Sequence, residues 1–265
     1  MKISEIISVL EQAAPLALQE EYDNCGMQVG DKKRECTGVM LCVDATAAVV
    51  EEAVAKGCNL VVCHHPLLFK GLKRITGATA VERAVIAAIS HGVAIYALHT
   101  ALDNASAGIS DEMAARLGLV DVATLAPRLG DLLKLTVFVP HAHVETVREA
   151  IFSAGAGSLG RYDKCSFSAK GEGTFRPLDG ANPFVGEAGA MHTEPETRLE
   201  MILPRWAKAS VEEALIEAHP YETPAYEFVA MENVAADYGS GAVGNLPTEL
   251  TAEEMVSKVK EAFHS

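Results

Sequence analysis

Apolar and polar positions in the first part of the chain predict a helix, followed by strands and helices in alternation. A helical face recurs over residues 3–13. The apolar runs and helical patterns that follow cover, in order, 39–43, 46–57, 60–63, 79–90 and 93–98. Strands that alternate with helices connect through right-handed crossovers, so this order predicts an α/β fold with a mostly parallel sheet and flanking helices.

The pattern changes after residue 130, where a second series of elements begins. Its strands and helices are expected at 132–139, 143–154, 164–169, 173–176, 197–203, 210–218 and 225–231. This β-α-β…β-α-β order is typical of a ferredoxin-like α+β unit. We therefore expect three segments: 1–130 forms the α/β part, 131–232 forms the ferredoxin-like domain, and 233–265 ends in a further helix.

A glycine motif in the second series matches the G-x-G-x-x-G pattern but not its context. Gly155, Gly157 and Gly160 follow a predicted helix, whereas the dinucleotide-binding motif follows a strand and opens a helix. We therefore interpret these glycines as a tight turn, because glycine adopts positive φ without steric cost.

The composition excludes some classes of partner. The net charge is −14, from 22 basic and 36 acidic residues, so the chain lacks the cations that a nucleic-acid interface needs. The first residues do not form a secretory signal, and no apolar stretch is long enough for a membrane span. The six cysteines show no C-x-x-C spacing, which is typical of a reduced, cytoplasmic protein.

Titratable side chains follow three of the predicted parallel strands. They are Asp44, His64, His65, His99 and Asp103. The carboxyl ends of parallel strands meet at one edge of a sheet, where open α/β sheets bind their ligands. Imidazole and carboxylate groups together suit zinc, manganese, iron or another divalent first-row ion. The sequence therefore predicts a metal or catalytic site at this edge, and the alternative is that the paired histidines are polar loop residues.

The spacing of these side chains indicates separate roles. His64 and His65 are neighbours in an extended segment, so their side chains diverge and each can reach a different ion. Asp103 or Asp44 could bridge two ions. His99 precedes Asp103 by four residues, and we assign it proton transfer or orientation of a ligand before direct coordination.

Two further polar segments have a structural and a functional interpretation. The loop over 22–30 is either a connection with turns at its glycines or a wall of the site that uses Asp23 and Asn24, and we favour the connection. His219 and Glu222 are either a second polar site or part of a turn fixed by neighbouring prolines, and we favour the turn.

Three motifs carry a family resemblance. Tyr22–Gly30, His64–Phe69 and His99–Asp103 occur in this order, and the chain resembles the dinuclear metal centre family. Its members are labelled GTP cyclohydrolase 1 type 2 homologues or NGG-interacting-factor-three-like proteins. The first motif begins with Tyr22, where the family usually has Trp. Residues 158–222 resemble the PII/CutA-like domain inserted in the longer members, and 239–246 resemble the return into the main domain.

The resemblance implies a ligand set and an assembly. Members hold two divalent ions per full-length subunit in a two-lobed α/β protein that forms a hexameric ring, and the inserted domain is similar to trimeric proteins. His64, His65 and Asp103 stand where the first three ligands stand. The remaining ligands, a His and a Glu, belong to a C-terminal lobe that this sequence lacks. We expect a truncated form or a shortened relative whose metal site lacks about half of its protein ligands.

Three functions are compatible with these residues. The first is a metal-dependent hydrolase for a nucleotide-like or other small substrate, in which His64, His65 and Asp103 hold ions and His99 moves a proton. The second is a non-catalytic metal-handling or regulatory protein, whose inserted domain senses a small-molecule ligand or drives assembly into a trimer or hexamer. The third is an assembly module without chemistry.

Overall fold

The computed structural model describes residues 1–264 and divides the chain into two compact units. Unit 1 comprises residues 1–127 and the segment from 237 onward, and unit 2 comprises 128–236. The helices are α1 Ile3–Ala13, α2 Ala47–Ala55, α3 Ala80–His91, α4 His99–Asp103, α5 Ile109–Arg116, α6 Val144–Ser153, α7 Lys208–Ala218 and α8 Ala252–Phe263. The strands are β1 Gly26–Val29, β2 Val39–Asp44, β3 Leu60–His65, β4 Ala94–Ala97, β5 Val120–Leu129, β6 Leu132–Pro140, β7 Phe167–Phe175, β8 His192–Pro204, β9 Tyr226–Ala230 and β10 Val234–Asn245.

The main sheet of unit 1 is mostly parallel, as predicted. Its strand order is β1-β4-β3-β2. The strands β2, β3 and β4 run parallel, and β1 pairs antiparallel with β4. The helices α2 and α3 form the two crossovers of this parallel part, so the carboxyl ends of β2, β3 and β4 lie at the same edge.

Both faces of β3 are buried, which explains why it is a continuous apolar run. Val61 and Cys63 of β3 face one core cluster, which includes residues of α2 and α3. Leu60 and Val62 face the other cluster, to which α1 contributes Ile3 and Ile7. A strand that is covered on both sides needs apolar residues at every position, and its first polar residues mark the point where it leaves the core.

The strand β1 was not predicted. Residues 22–30 were expected to form a loop, but Gly26 pairs with Ala97 and Met27 pairs with Tyr96. The strand has only four residues and is bounded by a polar loop and Gly30, so it is too short for an alternation of apolar and polar side chains to reveal it. This pairing brings the polar loop before β1 towards the end of β4.

The segment after residue 237 rejoins unit 1 through a buried amide. Asn104 is 1% exposed. Its Nδ2 donates to the carbonyl oxygen of Leu18 at 2.8 Å, and its Oδ1 accepts from the hydroxyl of Ser240 at 2.7 Å. The strands β5 and β10, which the sequence did not predict, pair with each other. At Gly239 a Cβ would lie 2.2 Å from the carbonyl oxygen of Ala126, so only glycine permits this close approach.

Unit 2 has the β-α-β-β-α-β order that the sequence predicts. Its sheet has the strand order β7-β8-β6-β9, and all its pairs are antiparallel. One face carries the core, in which Leu135 and Leu199 of the sheet pack with Ile151 of α6 and Leu215 of α7. The other face carries no helix of unit 2, so its side chains are partly open.

Two local predictions in unit 2 have different outcomes. The tight turn at the glycine motif is confirmed, because Gly155, Gly157 and Gly160 all have positive φ after α6. The two short strands expected at 164–169 and 173–176 are wrong, since one strand, β7, spans both. β7 is an edge strand, and its pairing with β8 continues through Gly171 and Gly173.

None of the helices in the described part of the chain has the length and apolar character to cross a membrane.

Unit 2 has its own apolar core, and we predict that residues 128–236 fold when expressed alone. The fragment should unfold cooperatively on heating, with the far-ultraviolet circular dichroism of a mixed α/β protein. Leu135→Ala should then lower its free energy of unfolding by about 2–5 kcal/mol, because this side chain is 0% exposed. A random-coil spectrum for the unmodified fragment would contradict the prediction.

Candidate metal centre

The paired histidines lie at the carboxyl end of β3, where the apolar run stops. Within β3, residues 60–63 are buried, while His64 is partly exposed and His65 exposed. His65 lies opposite Asp44 in the register of β2 and β3. Its Nδ1 lies 2.8 Å from Oδ1 of Asp44, and the two side chains are 50% and 68% exposed. Asp44 is therefore engaged with His65 at the surface end of the site.

The short helix α4 brings two more predicted residues to the same edge. It follows β4 directly, begins at His99 and ends at Asp103. The ring centroid of His99 lies 5.3 Å from that of His64 and 5.6 Å from that of His65. One ligand nitrogen from each of the three imidazoles lies within 4.8 Å of the others. The edge of the sheet thus gathers three imidazoles and the Asp103 carboxylate.

His99 occupies an unusual backbone conformation. Its φ is +30°, in the left-handed region that residues with a side chain rarely adopt. Such strain persists only where surrounding contacts hold it, and it is concentrated at functional sites. The contact that holds His99 is with Asp23, whose Oδ1 lies 2.8 Å from Nδ1 of the imidazole.

Asp23 is a buried carboxylate surrounded by donors. Its side chain is 0% exposed. It accepts hydrogen bonds from the backbone N–H and the hydroxyl of Thr100, from the thiol of Cys25 and from the backbone N–H of Asn24. Burial raises the pKa of Asp23, but the hydrogen bonds from Thr100, His99 and Cys25 outweigh it and hold the pKa well below its usual range.

The ionised state of Asp23 fixes the tautomer of His99. An ionised carboxylate only accepts hydrogen bonds, so Nδ1 of His99 carries the proton and donates it to Asp23. The lone pair of the neutral ring is then on Nε2. A carboxylate that orients an imidazole in this way is the arrangement found behind metal-ligating and proton-transferring histidines.

His64 has the properties of a metal ligand, and one of its ring nitrogens has no hydrogen-bond partner in the described residues. Its Nδ1 is buried and has no hydrogen bond within residues 1–264. Its Nε2 lies 3.9 Å from Oδ1 of Asp103, which is too long for a hydrogen bond. Burial lowers the pKa of His64, and it raises the pKa of Asp103. A neutral imidazole beside a carboxylate that it does not contact fits a divalent cation between them.

The neighbouring thiols are not suited to bind this ion. Burial raises the pKa of Cys25 to about 12 and that of Cys63 to about 12. Metals bind the thiolate form, whereas the thiol of Cys25 donates to Asp23 and the thiol of Cys63 donates to the carbonyl oxygen of His65. The donor set is therefore nitrogen and oxygen.

The structure corrects one interpretation of the loop before β1. We favoured a simple connection for residues 22–30, but Asp23 binds His99 and Nδ2 of Asn24 donates to the carbonyl oxygen of Leu68 at 2.7 Å. The loop is a wall of the site. The missing signal was the pairing of β1 with β4, because 76 residues separate Asp23 from His99 in the chain.

His219 and Glu222 do not form a second polar pair. Nε2 of His219 lies 3.0 Å from the carbonyl oxygen of Phe138, and its Nδ1 accepts from the backbone N–H of Tyr221 at 3.1 Å. Glu222 instead accepts from the backbone N–H of Asn182. Both ring nitrogens of His219 bind the backbone, which confirms its role in a turn.

Comparisons with known proteins place the chain among bacterial relatives. A sequence model of the family Duf34/NIF3 (NGG1p interacting factor 3) matches residues 1–265. The chain is 41% identical to the GTP cyclohydrolase 1 type 2 homolog of Halalkalibacterium halodurans over 99% of this chain and 72% of the relative. It is 40% identical to the protein of the same name from Bacillus subtilis, over 97% of this chain and 69% of the relative.

A solved structure agrees with the sequence relatives. The Bacillus cereus protein related to NIF3 superposes with a TM-score of 0.86 at 37% identity, over 99% of this chain and 70% of that chain. The similarity extends over both units and so supports the fold described above.

The contact between Asp23 and His99 predicts a measurable effect on metal affinity. Asp23→Asn should weaken zinc binding by about 10- to 100-fold, because the amide no longer holds the His99 imidazole in place against the rings of the ligands His64 and His65. Competition with a chromophoric chelator measures the affinity.

Asp31→Asn is the matched control, because Asp31 is exposed and caps only a local turn at Lys33. Thr100→Val removes a different donor from Asp23 and should lower thermal stability more than zinc affinity. Equal zinc affinities for Asp23→Asn and the unmodified chain would refute the orienting role.

Proposed function

We propose that this chain, which belongs to the DUF34/NIF3 family, binds divalent metal ions and is a metal-dependent hydrolase of a nucleotide-like or other small substrate. The observation that carries the proposal is the convergence of three imidazoles, with ligand nitrogens within 4.8 Å of each other, beside Asp103. We assign His64, His65 and Asp103 as ligands, for two ions per full-length subunit, and name zinc, manganese and iron as candidates. A bound divalent ion supplies Lewis acidity and lowers the pKa of a water molecule in its coordination sphere.

His99 is the residue that we propose for proton transfer. Its Nδ1 is committed to Asp23, so Nε2 is the atom that takes a proton from the attacking water. Asp23 stabilises the imidazolium that results, since its carboxylate is ionised and buried beside the ring. The ring centroid of His99 lies 5.3 Å from that of His64 and 5.6 Å from that of His65, which supports this role.

The relatives suggest which substrate to test first. Two of them bear the printed name GTP cyclohydrolase 1 type 2 homolog. A purine nucleoside triphosphate is therefore the first member of the panel, and hydrolysis, the addition of water across a bond, is the reaction class.

A non-catalytic metal-handling role is the second candidate, and one feature of the site favours it. His65 and Asp44 are 50% and 68% exposed, so an ion held there is open to solvent and to an acceptor protein. In that role the same ligands store or deliver ions, and the oligomer formed by the chain has a regulatory function.

We further propose that unit 2 is a PII/CutA-like domain and that the chain forms a trimer or hexamer in the cytoplasm. The strand order β7-β8-β6-β9 supports a ferredoxin-like unit of this kind. The six cysteines are all free, which supports a reducing compartment. Native mass spectrometry of the purified chain gives the number of subunits.

We predict that His64→Ala removes most of the bound metal and all metal-dependent turnover. Elemental analysis measures the ions per chain, and the substrate panel consists of GTP, ATP and their nucleosides with zinc, manganese or iron present. His91→Ala is the matched control, because His91 is an exposed histidine at the end of α3.

Two results separate the candidates. Full metal loading without turnover of any nucleotide, together with transfer of the ion to an apo-acceptor, would replace the hydrolase by the metal-handling role. Equal metal content in His64→Ala and the unmodified chain would contradict the proposed metal site.

A further inference from the structure

Unit 2 contains a cavity that the metal centre does not use. Its volume is about 600 Å³, which lies in the range of small-molecule sites. It lies on the side of the sheet away from the core, against β7 and β8, and the chain segments around 176–184 and 221–225 complete its walls. Side chains of β8 alternate, so Thr197 and Leu199 are buried in unit 2 while Glu196 and Arg198 line the cavity.

Aromatic rings form much of the lining. The rings of Phe175 and Tyr221 have centroids 5.8 Å apart, and those of Phe184 and Tyr221 are 6.3 Å apart. Phe138 of β6 also lines the cavity. Phe184 is 50% exposed, although a large apolar side chain without a partner is costly to leave in water. These flat apolar surfaces favour a flat ring system.

One buried carboxylate gives the cavity a polar specificity. Glu196 is 8% exposed. Its Oε1 accepts the hydroxyl hydrogen bond of Tyr221 at 2.8 Å. Burial and the neighbouring Glu196 raise the pKa of Tyr221, so the phenol stays protonated and donates. This contact orients the carboxylate and leaves the lone pairs of its other oxygen, Oε2, to accept a hydrogen bond from a ligand.

The second oxygen of Glu196 lies beside a glycine on β7. A Cβ at Gly173 would lie 2.2 Å from Oε2 of Glu196, so no larger residue leaves room for the carboxylate. Glu222 accepts a hydrogen bond from the backbone N–H of Asn182. This bond connects the wall that contains Glu222 to the segment that carries Phe184. Two hydrogen-bonded contacts thus connect the walls of the cavity, Tyr221 with Glu196 and Glu222 with Asn182.

We propose that this cavity binds a planar nitrogen heterocycle that donates an N–H hydrogen bond to Glu196 and stacks against Phe184 and Tyr221. A carboxylate only accepts hydrogen bonds, so it selects a ligand edge that donates them. The rings add stacking energy that any flat heterocycle can use. This site is separate from the metal centre, and its ligand need not be the substrate.

Isothermal titration of the full chain with nucleosides tests the proposal. The titrations contain a chelator, so that the metal centre does not contribute. Adenosine and guanosine serve as probes, and purine riboside is the matched ligand because it has the same ring without an N–H donor on the base. We expect purine riboside to bind roughly tenfold more weakly than adenosine, since the Glu196 carboxylate is left unpaired.

Variants of the chain test the same contacts from the protein side. Glu196→Gln and Phe184→Ala should each weaken nucleoside binding roughly tenfold. Glu227→Gln is the control, because Glu227 is exposed on β9 and does not line the cavity. Phe184 is half exposed, so its replacement keeps the test informative if the Glu196 variant fails to fold.

Three results would overturn the proposal. The first is the absence of binding by either nucleoside at millimolar concentration. The second is equal binding of adenosine and purine riboside, which would show an apolar cavity without the carboxylate contact. The third is self-association of the chain that Phe184→Ala weakens while nucleosides do not bind, which would assign the cavity to a second copy of this chain. Because metal is excluded from these titrations, none of these results bears on the metal centre.

Discussion

The candidate metal centre depends on one hydrogen bond, between the buried carboxylate of Asp23 and the imidazole of His99. Asp23 is fully enclosed and accepts from several donors, so it stays ionised without a formal positive charge beside it. That charge fixes the tautomer of His99, whose backbone has a positive φ. The other residues of the site, His64, His65 and Asp103, lie near one another because the parallel strands of the sheet end at one edge.

The sheet and this contact make different contributions to the site. Burial of β3 on both faces sets where the apolar run must stop, and His64 and His65 are the first polar residues after that point. The sheet therefore brings side chains together by topology alone. The loop before β1 adds the orientation, because its pairing with β4 delivers a carboxylate from a distant part of the sequence. A site that needs both would be sensitive to changes in either.

The sequence allowed the parallel core and the gathering of His64, His65, His99 and Asp103 to be predicted, because both follow from periodicity along the chain. The role of Asp23 could not be predicted in this way. It depends on β1, a strand of four residues whose pairing with β4 has no local pattern. The strands β5 and β10 were missed for a related reason, since they pair with each other across more than a hundred residues. In unit 2 the two short strands expected at 164–169 and 173–176 are one edge strand, whose pairing with β8 continues through Gly171 and Gly173.

The central claim is that His64, His65 and Asp103 hold divalent ions beside His99, and X-ray absorption at the zinc edge tests it most directly. For the chain loaded with one equivalent of zinc, the account predicts a first shell of nitrogen and oxygen, with the multiple-scattering pattern of imidazole and no sulfur. A shell of oxygen alone, or one that contains sulfur, would show that the ion binds elsewhere and would contradict the account.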